Sequence, residues 1–332
     1  MRMRRIVIHG MGAIGGVVAA ALQRSGAQTV GIARGAMLDA VRERGLRLRA
    51  PGIDDVVPVP VVAHPTEIEW HEDDAVLLCM KSQDTAGALE DLRDAGVAEQ
   101  AVFCAQNGVE NERAALRIFP NVHGVTVMMP ALYLDPGEVA VFTKPKLGIF
   151  DIGRYPSGTD AADAALAERL EAAGIACFPQ EDVMASKYGK LLLNLGNVLQ
   201  AALGRGVDAA ELGEAVRAEA EAVFEAAGIS WKAVDANDPR RDHLLRHVDE
   251  LPGVARQGGS TNQSLLRGAA RVETDYLNGE IALLGRLHGV PTPVNAALAR
   301  IGARMAKEAR RPGSFTLDTL RAKIASMSEK CA

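Results

Sequence analysis

The chain has 332 residues, 48% of them hydrophobic and 24% charged, with a formal net charge of −5. This length makes about two ordinary domains, and the composition is that of a folded globular protein rather than a disordered one. The acidic balance gives no electrostatic ground for nucleic acid or an anionic membrane as a partner. The four cysteines, Cys79, Cys104, Cys177 and Cys331, include no C-x-x-C pair. They resemble neither a zinc site nor a disulfide framework and fit a reducing cytoplasm.

The first segment, MRMRRIVIHGMGAIGGVVAAAL, has the basic start and apolar run of a secretory signal. A buried strand followed by a glycine-rich cofactor turn is equally apolar, and the glycine spacing favours that alternative. No other stretch approaches the ~18 uninterrupted apolar residues of a membrane span. A soluble, cytoplasmic protein is expected.

In chain order, RRIVIHG predicts a short buried strand, followed by an alanine-rich helix ending at Ser25-Gly26. QTVGIA predicts a second strand, and AMLDAVRERG a helix with Gly45 beyond its end. DAVLLCM, AVFCAQNG and NVHGVTVMM continue the series, and residues 139–153 add further strands. Strands alternating with helices imply a parallel sheet with crossover helices. From about Glu181 the pattern becomes helical, over 181–203, 208–227, 262–288 and 293–310, with 251–259 as a Pro- and Gly-rich loop. The expected fold is α/β: a Rossmann-type, doubly wound N-terminal domain over residues 1–179, and an all-helical domain over 180–332.

Gly10-Met11-Gly12-Ala13-Ile14-Gly15 is G-x-G-x-x-G placed between a strand and a helix. Such glycines allow a tight turn and close backbone approach to a pyrophosphate at the helix N-terminus. The end of the second strand selects the dinucleotide. NAD binders usually carry a carboxylate there, whereas this chain has Arg34 and no carboxylate before Asp39. A guanidinium suits the 2′-phosphate of NADP. Lys81, after DAVLLCM, is a second positive candidate, with a solvated surface lysine as the plain alternative. His9 is expected to be structural, requiring only a hydrogen-bond partner. Asn107, in Gln106-Asn107-Gly108, stands at a strand's carboxyl end, where open α/β sheets bind ligands; an Asn-Gly turn is its plain alternative.

The segment YGKLLLNLGNVLQ raises a separate question. On one continuous helix, Lys190, Asn194 and Asn197 fall within an arc of about 60°, opposite Leu191, Leu192, Leu195 and Leu199. Asparagine and mid-helix glycine are poor helix formers, so the amides are expected to serve specific hydrogen bonds rather than a solvent-facing stripe. Glu273 shares an apolar helical face with Leu277, Leu284 and Leu287, while Asp275, Asn278 and Arg286 are expected to point elsewhere. A carboxylate in that setting needs a partner, either a structural cation or Lys190.

These residues together resemble the ketopantoate reductase (2-dehydropantoate 2-reductase) family over nearly the whole chain. The resemblance rests on GMGAIG, Arg34, Lys81 in LLCMKSQDT, QNGVEN, K-x-x-x-N in KLLLN and E-x-D-Y-x-N-G in ETDYLNG. It implies an enzyme with its site in a cleft between the two domains, with Lys190 as general acid and Glu273 as its partner. Asn107 would lie near the nicotinamide, Asn194 would contact substrate, and Ser260 or Thr261 would bind the substrate carboxylate. A homodimer is implied by the same resemblance, and no metal is expected. The chain departs from the family at Tyr188, where tryptophan is common, and at Asn197, seven residues after the lysine instead of eight. Further departures fall around Asp208 and in STNQSLLRG, which adds Arg267.

The resulting expectation is NADPH-dependent reduction of a 2-oxo acid to a 2-hydroxy acid, with ketopantoate to pantoate the leading case. The same chemistry on another bulky or aromatic 2-oxo acid, oxidation of a hydroxy acid, and a non-catalytic NADP-responsive regulator are the alternatives.

Overall fold

The structure, a computed structural model, describes residues 3–235, 238–255 and 258–328; Cys331 lies outside them. The chain divides into two compact units. One comprises residues up to Lys187 together with Ala233–Ala255; the other comprises Tyr188–Lys232 and the described residues after 257. The boundary falls inside the helix Val183–Asn194.

The first unit is built on an eight-stranded sheet. Its spatial order is Ile175–Pro179, Gly148–Arg154, Val122–Met128, Ala101–Cys104, Asp74–Leu78, Arg5–His9, Thr29–Ile32, Val61–Val62. Neighbours run parallel except Gly148–Arg154 against Val122–Met128. The strands are continuous apolar runs because both faces are covered: Val7, Ile8, Val76, Leu77, Leu78, Val102 and Phe103 are wholly buried. From Arg5–His9 the chain moves outward through Thr29–Ile32 and Val61–Val62. It then returns to Asp74–Leu78 on the other side and continues away. The order therefore reverses between Arg5–His9 and Asp74–Leu78, and the crevice outside their carboxyl ends is where doubly wound sheets take ligands.

A four-stranded sheet, ordered Ile53–Val57, Leu46–Ala50, Glu138–Val141, Ala131–Asp135, lies against the helix Ala13–Arg24. A Cβ at Gly16 would come within 2.7 Å of Val139 Cγ1, so the helix is close because that residue is glycine. Residues 233–255 are fixed to the first unit by Leu245–His247 pairing with Thr143–Pro145. The Arg240 guanidinium, which bonds the buried carboxylate of Asp151 at 2.6 and 3.1 Å, adds a second tie.

The second unit is helical. Ala210–Ala227, Asn278–His288 and Pro293–Lys307 pack together, and Leu317–Ser328, which the sequence reading did not anticipate, packs on Pro293–Lys307. The Glu219 carboxylate accepts from the backbone N–H of Val294 and Asn295 at 2.8 and 2.9 Å, capping the helix that Pro293 starts.

Two of the expected long helices are broken. The 181–203 segment forms Val183–Asn194 and Asn197–Leu203, separated by a turn at Leu195-Gly196. The 262–288 segment forms Ser260–Leu266, a 3₁₀ turn over Glu273–Tyr276, and Asn278–His288. Gly268, at φ +72°, takes the chain off the first of these. The face drawn through Glu273 changes accordingly: Leu287 is 66% exposed, and Asn278, expected to point elsewhere, is buried. Among the described residues, no helix is long and apolar enough to cross a membrane.

Candidate active site

The three glycines of the first loop have three different physical reasons. Gly10 has φ +101°, and a Cβ there would lie 2.7 Å from Met80 N, so the loops after the two central strands touch at this point. At Gly15 a Cβ would lie 2.1 Å from Gly10 O, which the close turn between strand and helix cannot accommodate. At Gly12 a Cβ would meet nothing within 4 Å. Gly12 thus faces open space. It is also the N-cap of the helix Ala13–Arg24, and a glycine there brings no side chain to cap the first helical N–H groups. Uncapped amides at a helix start are ready donors for an anion. Met11, beside them, is buried, and its side chain fills the space where a Cβ on Gly31 would sit; Ile14 is partly buried against the core.

Arg34 follows the second strand, is exposed, and is the N-cap of the helix Gly35–Arg44. The residues present therefore fit a dinucleotide: a cradle without Cβ atoms for the pyrophosphate, and a cation beside a second helix start for a phosphate farther along. His9 is the last residue of the first strand, opposite Ile32 and Leu78. It is buried, but its Nδ1 has no hydrogen-bond partner among the described residues, contrary to the simple structural expectation. Burial, and then the Arg34 charge, lower its pKa to about 4, so the ring is neutral near pH 7.

Along the same carboxyl edge, Lys81 is half-buried and precedes a 3₁₀ turn at Ser82–Asp84. Ser82 Oγ donates to Asn107 O at 3.2 Å, joining the loop of Lys81 to the loop of Asn107. Asn111 Nδ2 donates to the same carbonyl at 3.0 Å and to Ser82 Oγ at 3.2 Å. Gln106 Nε2 donates to Thr85 Oγ1 at 3.0 Å, and that hydroxyl donates to Asn111 Oδ1 at 2.8 Å. The structure thus brings the glycine loop, Lys81 and Asn107 into one row across the switch point. Asn107 itself is half-buried.

In the second unit, Lys190 and Asn194 lie one turn apart on Val183–Asn194, with Lys190 half-buried and Asn194 buried. The helix break does not separate the asparagines: Asn197 Nδ2 donates to Asn194 Oδ1 at 3.4 Å. Asn194 Nδ2 is buried without an acceptor among the described residues. Leu191, Leu192, Leu195 and Leu199 are buried as expected.

Ser260 and Thr261 open the helix Ser260–Leu266, and the turn before them crowds the asparagines: a Cβ at Gly259 would lie 3.0 Å from Asn197 Oδ1. Gly259 N donates to Gln200 Oε1 at 2.7 Å. Glu273 is buried at the start of its 3₁₀ turn. Its segment is held to the asparagine turn by Asn278 Nδ2, which donates to Leu195 O at 3.2 Å.

Three departures have structural explanations. Tyr188 packs edge-on against Phe224, with ring centroids 5.2 Å apart. Asp208 is exposed and accepts from Ala210 N at 3.0 Å at a helix start. Ser264 Oγ donates back to Ser260 O at 3.1 Å. His123, Asp160 and Asp163 cluster in the first unit, with His123 Nδ1 2.8 Å from Asp163 and Nε2 3.1 Å from Asn121 Oδ1. Asp160 caps the helix Ala161–Ala172, so these groups serve the local fold.

The chain matches the family described as ketopantoate reductase PanE/ApbA over residues 6–156 and its C-terminal domain over 182–305. It is 30% identical to a 2-dehydropantoate 2-reductase of Mesorhizobium japonicum over 336 aligned residues, covering 92% of this chain and 98% of the relative. A PanE/ApbA family ketopantoate reductase from Ralstonia eutropha JMP134 superposes with TM-score 0.75 at 29% identity, covering 92% of this chain and all of that one. A D-mandelate dehydrogenase solved with NADH and anilino(oxo)acetate also superposes with TM-score 0.75 and the same 92% coverage of this chain, 99% of that chain being matched. At 23% identity, that likeness concerns the fold.

Proposed function

The chain belongs to the ketopantoate reductase PanE/ApbA family, and from that premise we propose that it reduces a 2-oxo acid to a 2-hydroxy acid with NADPH, 2-dehydropantoate to pantoate being the foremost case. The observation that carries this reading is the match of both halves of the chain to one reductase family, together with an open, Cβ-free cradle at Gly12. In this reading residues 1–179 bind the nucleotide and 180–332 bind substrate.

The nicotinamide cofactor, when bound, supplies the hydride to the carbonyl carbon. Gly10, Gly12 and Gly15 shape the turn that admits the pyrophosphate, and the backbone N–H groups of Ala13 and Ile14 donate to it. Arg34 pairs with the 2′-phosphate, and Lys81 adds positive charge on the same edge. Asn107 orients the nicotinamide and the substrate carbonyl. As negative charge grows on the carbonyl oxygen, the Lys190 ammonium stabilises it and delivers a proton from Nζ. The Glu273 carboxylate serves as the partner of the Lys190 ammonium. Asn194 and Asn197 bind substrate oxygens; the unmet Nδ2 of Asn194 supports this assignment. Ser260 and Thr261 receive the carboxylate.

The spacing of Asn197 and the Tyr188 and Arg267 departures favour a second reading, the same reduction of another bulky 2-oxo acid. The test is NADPH oxidation with 2-dehydropantoate against a panel of aliphatic and aromatic 2-oxo acids. The first reading predicts the highest kcat/KM for 2-dehydropantoate. A better panel member moves the assignment to that acid, and NADPH binding without turnover of any carbonyl overturns both. A homodimer is part of the proposal, supported by Leu283 and Leu287, 44% and 66% exposed one turn apart; light scattering checks it. A cytoplasmic location is proposed as well, supported by free Cys79, Cys104 and Cys177.

A further inference from the structure

Lys187 is a lysine that the reaction, as proposed, leaves unused. Its side chain is 2% exposed and its ammonium meets three acceptors: Cys104 O at 3.2 Å, Gln106 O at 3.1 Å and the Glu112 carboxylate, itself wholly buried. An ammonium has three N–H donors, so Lys187 has none left to give to a substrate. Its role must lie in what it holds.

What it holds is the chain leading into Asn107. Cys104 ends the strand Ala101–Cys104, and Gln106 follows two residues later; alternate carbonyls of an extended chain point the same way, so one cation reaches both. The Gln106 carbonyl belongs to the same planar peptide unit as the Asn107 N–H. Turning that carbonyl toward Lys187 fixes the N–H on the opposite side. The next peptide plane is also held, because Asn107 O accepts from Ser82 Oγ and Asn111 Nδ2. With both flanking planes fixed, the backbone torsions of Asn107 are set, and so is the direction of its Cβ. None of these bonds uses the Asn107 side chain.

The charge pair is not explained by stability alone. Replacing a buried ion pair with packed apolar groups is often neutral or favourable. Burial pushes the Glu112 carboxyl up, and the Lys187 ammonium opposes that shift. Glu112 Oε2 remains without a partner among the described residues, so the carboxylate serves chiefly to neutralise the lysine.

We propose that Lys187 is a positioning residue: its buried ammonium, neutralised by Glu112, clamps the Cys104 and Gln106 carbonyls and thereby aims Asn107 at the reacting groups. This rests on the reading above in which Asn107 acts on nicotinamide and substrate.

The experiment is a double-mutant cycle on kcat with NADPH and the best 2-oxo acid. It combines Asn107→Ala with Lys187→Met, and with the paired exchange Lys187→Met/Glu112→Leu, which leaves no buried charge uncompensated should the single variant not fold. Expected are a kcat loss of roughly 30-fold for the clamp variants, in keeping with a displaced catalytic group, and little further loss when Asn107→Ala is added. NADPH dissociation constants are expected to stay within about threefold, since the glycine loop is untouched. If Asn107→Ala is impaired but the clamp variants keep kcat within about threefold, or their losses multiply with it, positioning through Asn107 is overturned. If Asn107→Ala itself turns over like the parent, the underlying reading fails instead.

Discussion

Asn197 donates through Nδ2 to Asn194 Oδ1, and the amide nitrogen of Asn194 is left buried with no acceptor among the described residues. The pair is oriented so that Asn194 Nδ2 is a buried donor left unmet among the described residues. A buried donor without a partner is costly, and a bound oxygen would relieve it. Asn194→Ala is therefore expected to raise KM for the 2-oxo acid about tenfold, with the NADPH dissociation constant within twofold of the parent. Steady-state kinetics and cofactor titration check this, and an unchanged KM would remove Asn194 from the substrate side.

The glycine loop separates binding from folding. Gly15→Ala places a Cβ against the Gly10 carbonyl and is expected to destabilise by about 3 kcal/mol. Gly12→Ala meets open space at an ordinary φ of −80°, so its melting temperature should barely change while NADPH binding weakens at least tenfold. Thermal unfolding and fluorescence titration of both variants decide it. Equal stability losses would contradict the roles assigned.

Arg34 decides between the two dinucleotides. A charge-assisted contact to a phosphate is stronger than a neutral hydrogen bond. Arg34→Gln should weaken NADPH by roughly 10- to 100-fold and NADH by less than about threefold. Parallel losses for both cofactors would place Arg34 away from the 2′-phosphate.

His9 gives a pH signature. Its pKa is 6.5 when exposed and about 4 in the fold, chiefly because of burial. Between those values the unfolded chain binds more protons, so stability rises with pH across that window. The contribution is complete above about pH 6.5 and is lost by about pH 4, on the order of 3 kcal/mol in all. Denaturant unfolding of the parent and of His9→Leu over this range should show a steeper loss in the parent. Identical slopes would refute the buried, neutral imidazole.

Most of the cofactor half was legible because its signals are local. G-x-G-x-x-G constrains one turn, and Arg34 sits where strand periodicity ends. The second sheet was missed although LRLRA alternates correctly, with Leu46, Leu48 and Ala50 buried and the arginines between them half-exposed. The break at Gly196 was missed because the leucines continue in phase through it, and only Gly196 and its flanking asparagines interrupt good helix formers. Lys187 was missed altogether. Its partners lie 75 to 83 residues away in sequence, so no local pattern distinguishes it from a surface lysine. The family resemblance rests on ordered short motifs, and it extends to the helical half, where periodicity alone misjudged the surroundings of Glu273.

The most direct test is kcat of Lys190→Ala with saturating NADPH and the preferred 2-oxo acid, alongside the NADPH dissociation constant of the same variant. The account predicts intact cofactor binding and a kcat lower by roughly 10²- to 10⁴-fold, the usual worth of a positioned proton donor. Turnover within about threefold of the parent would contradict it.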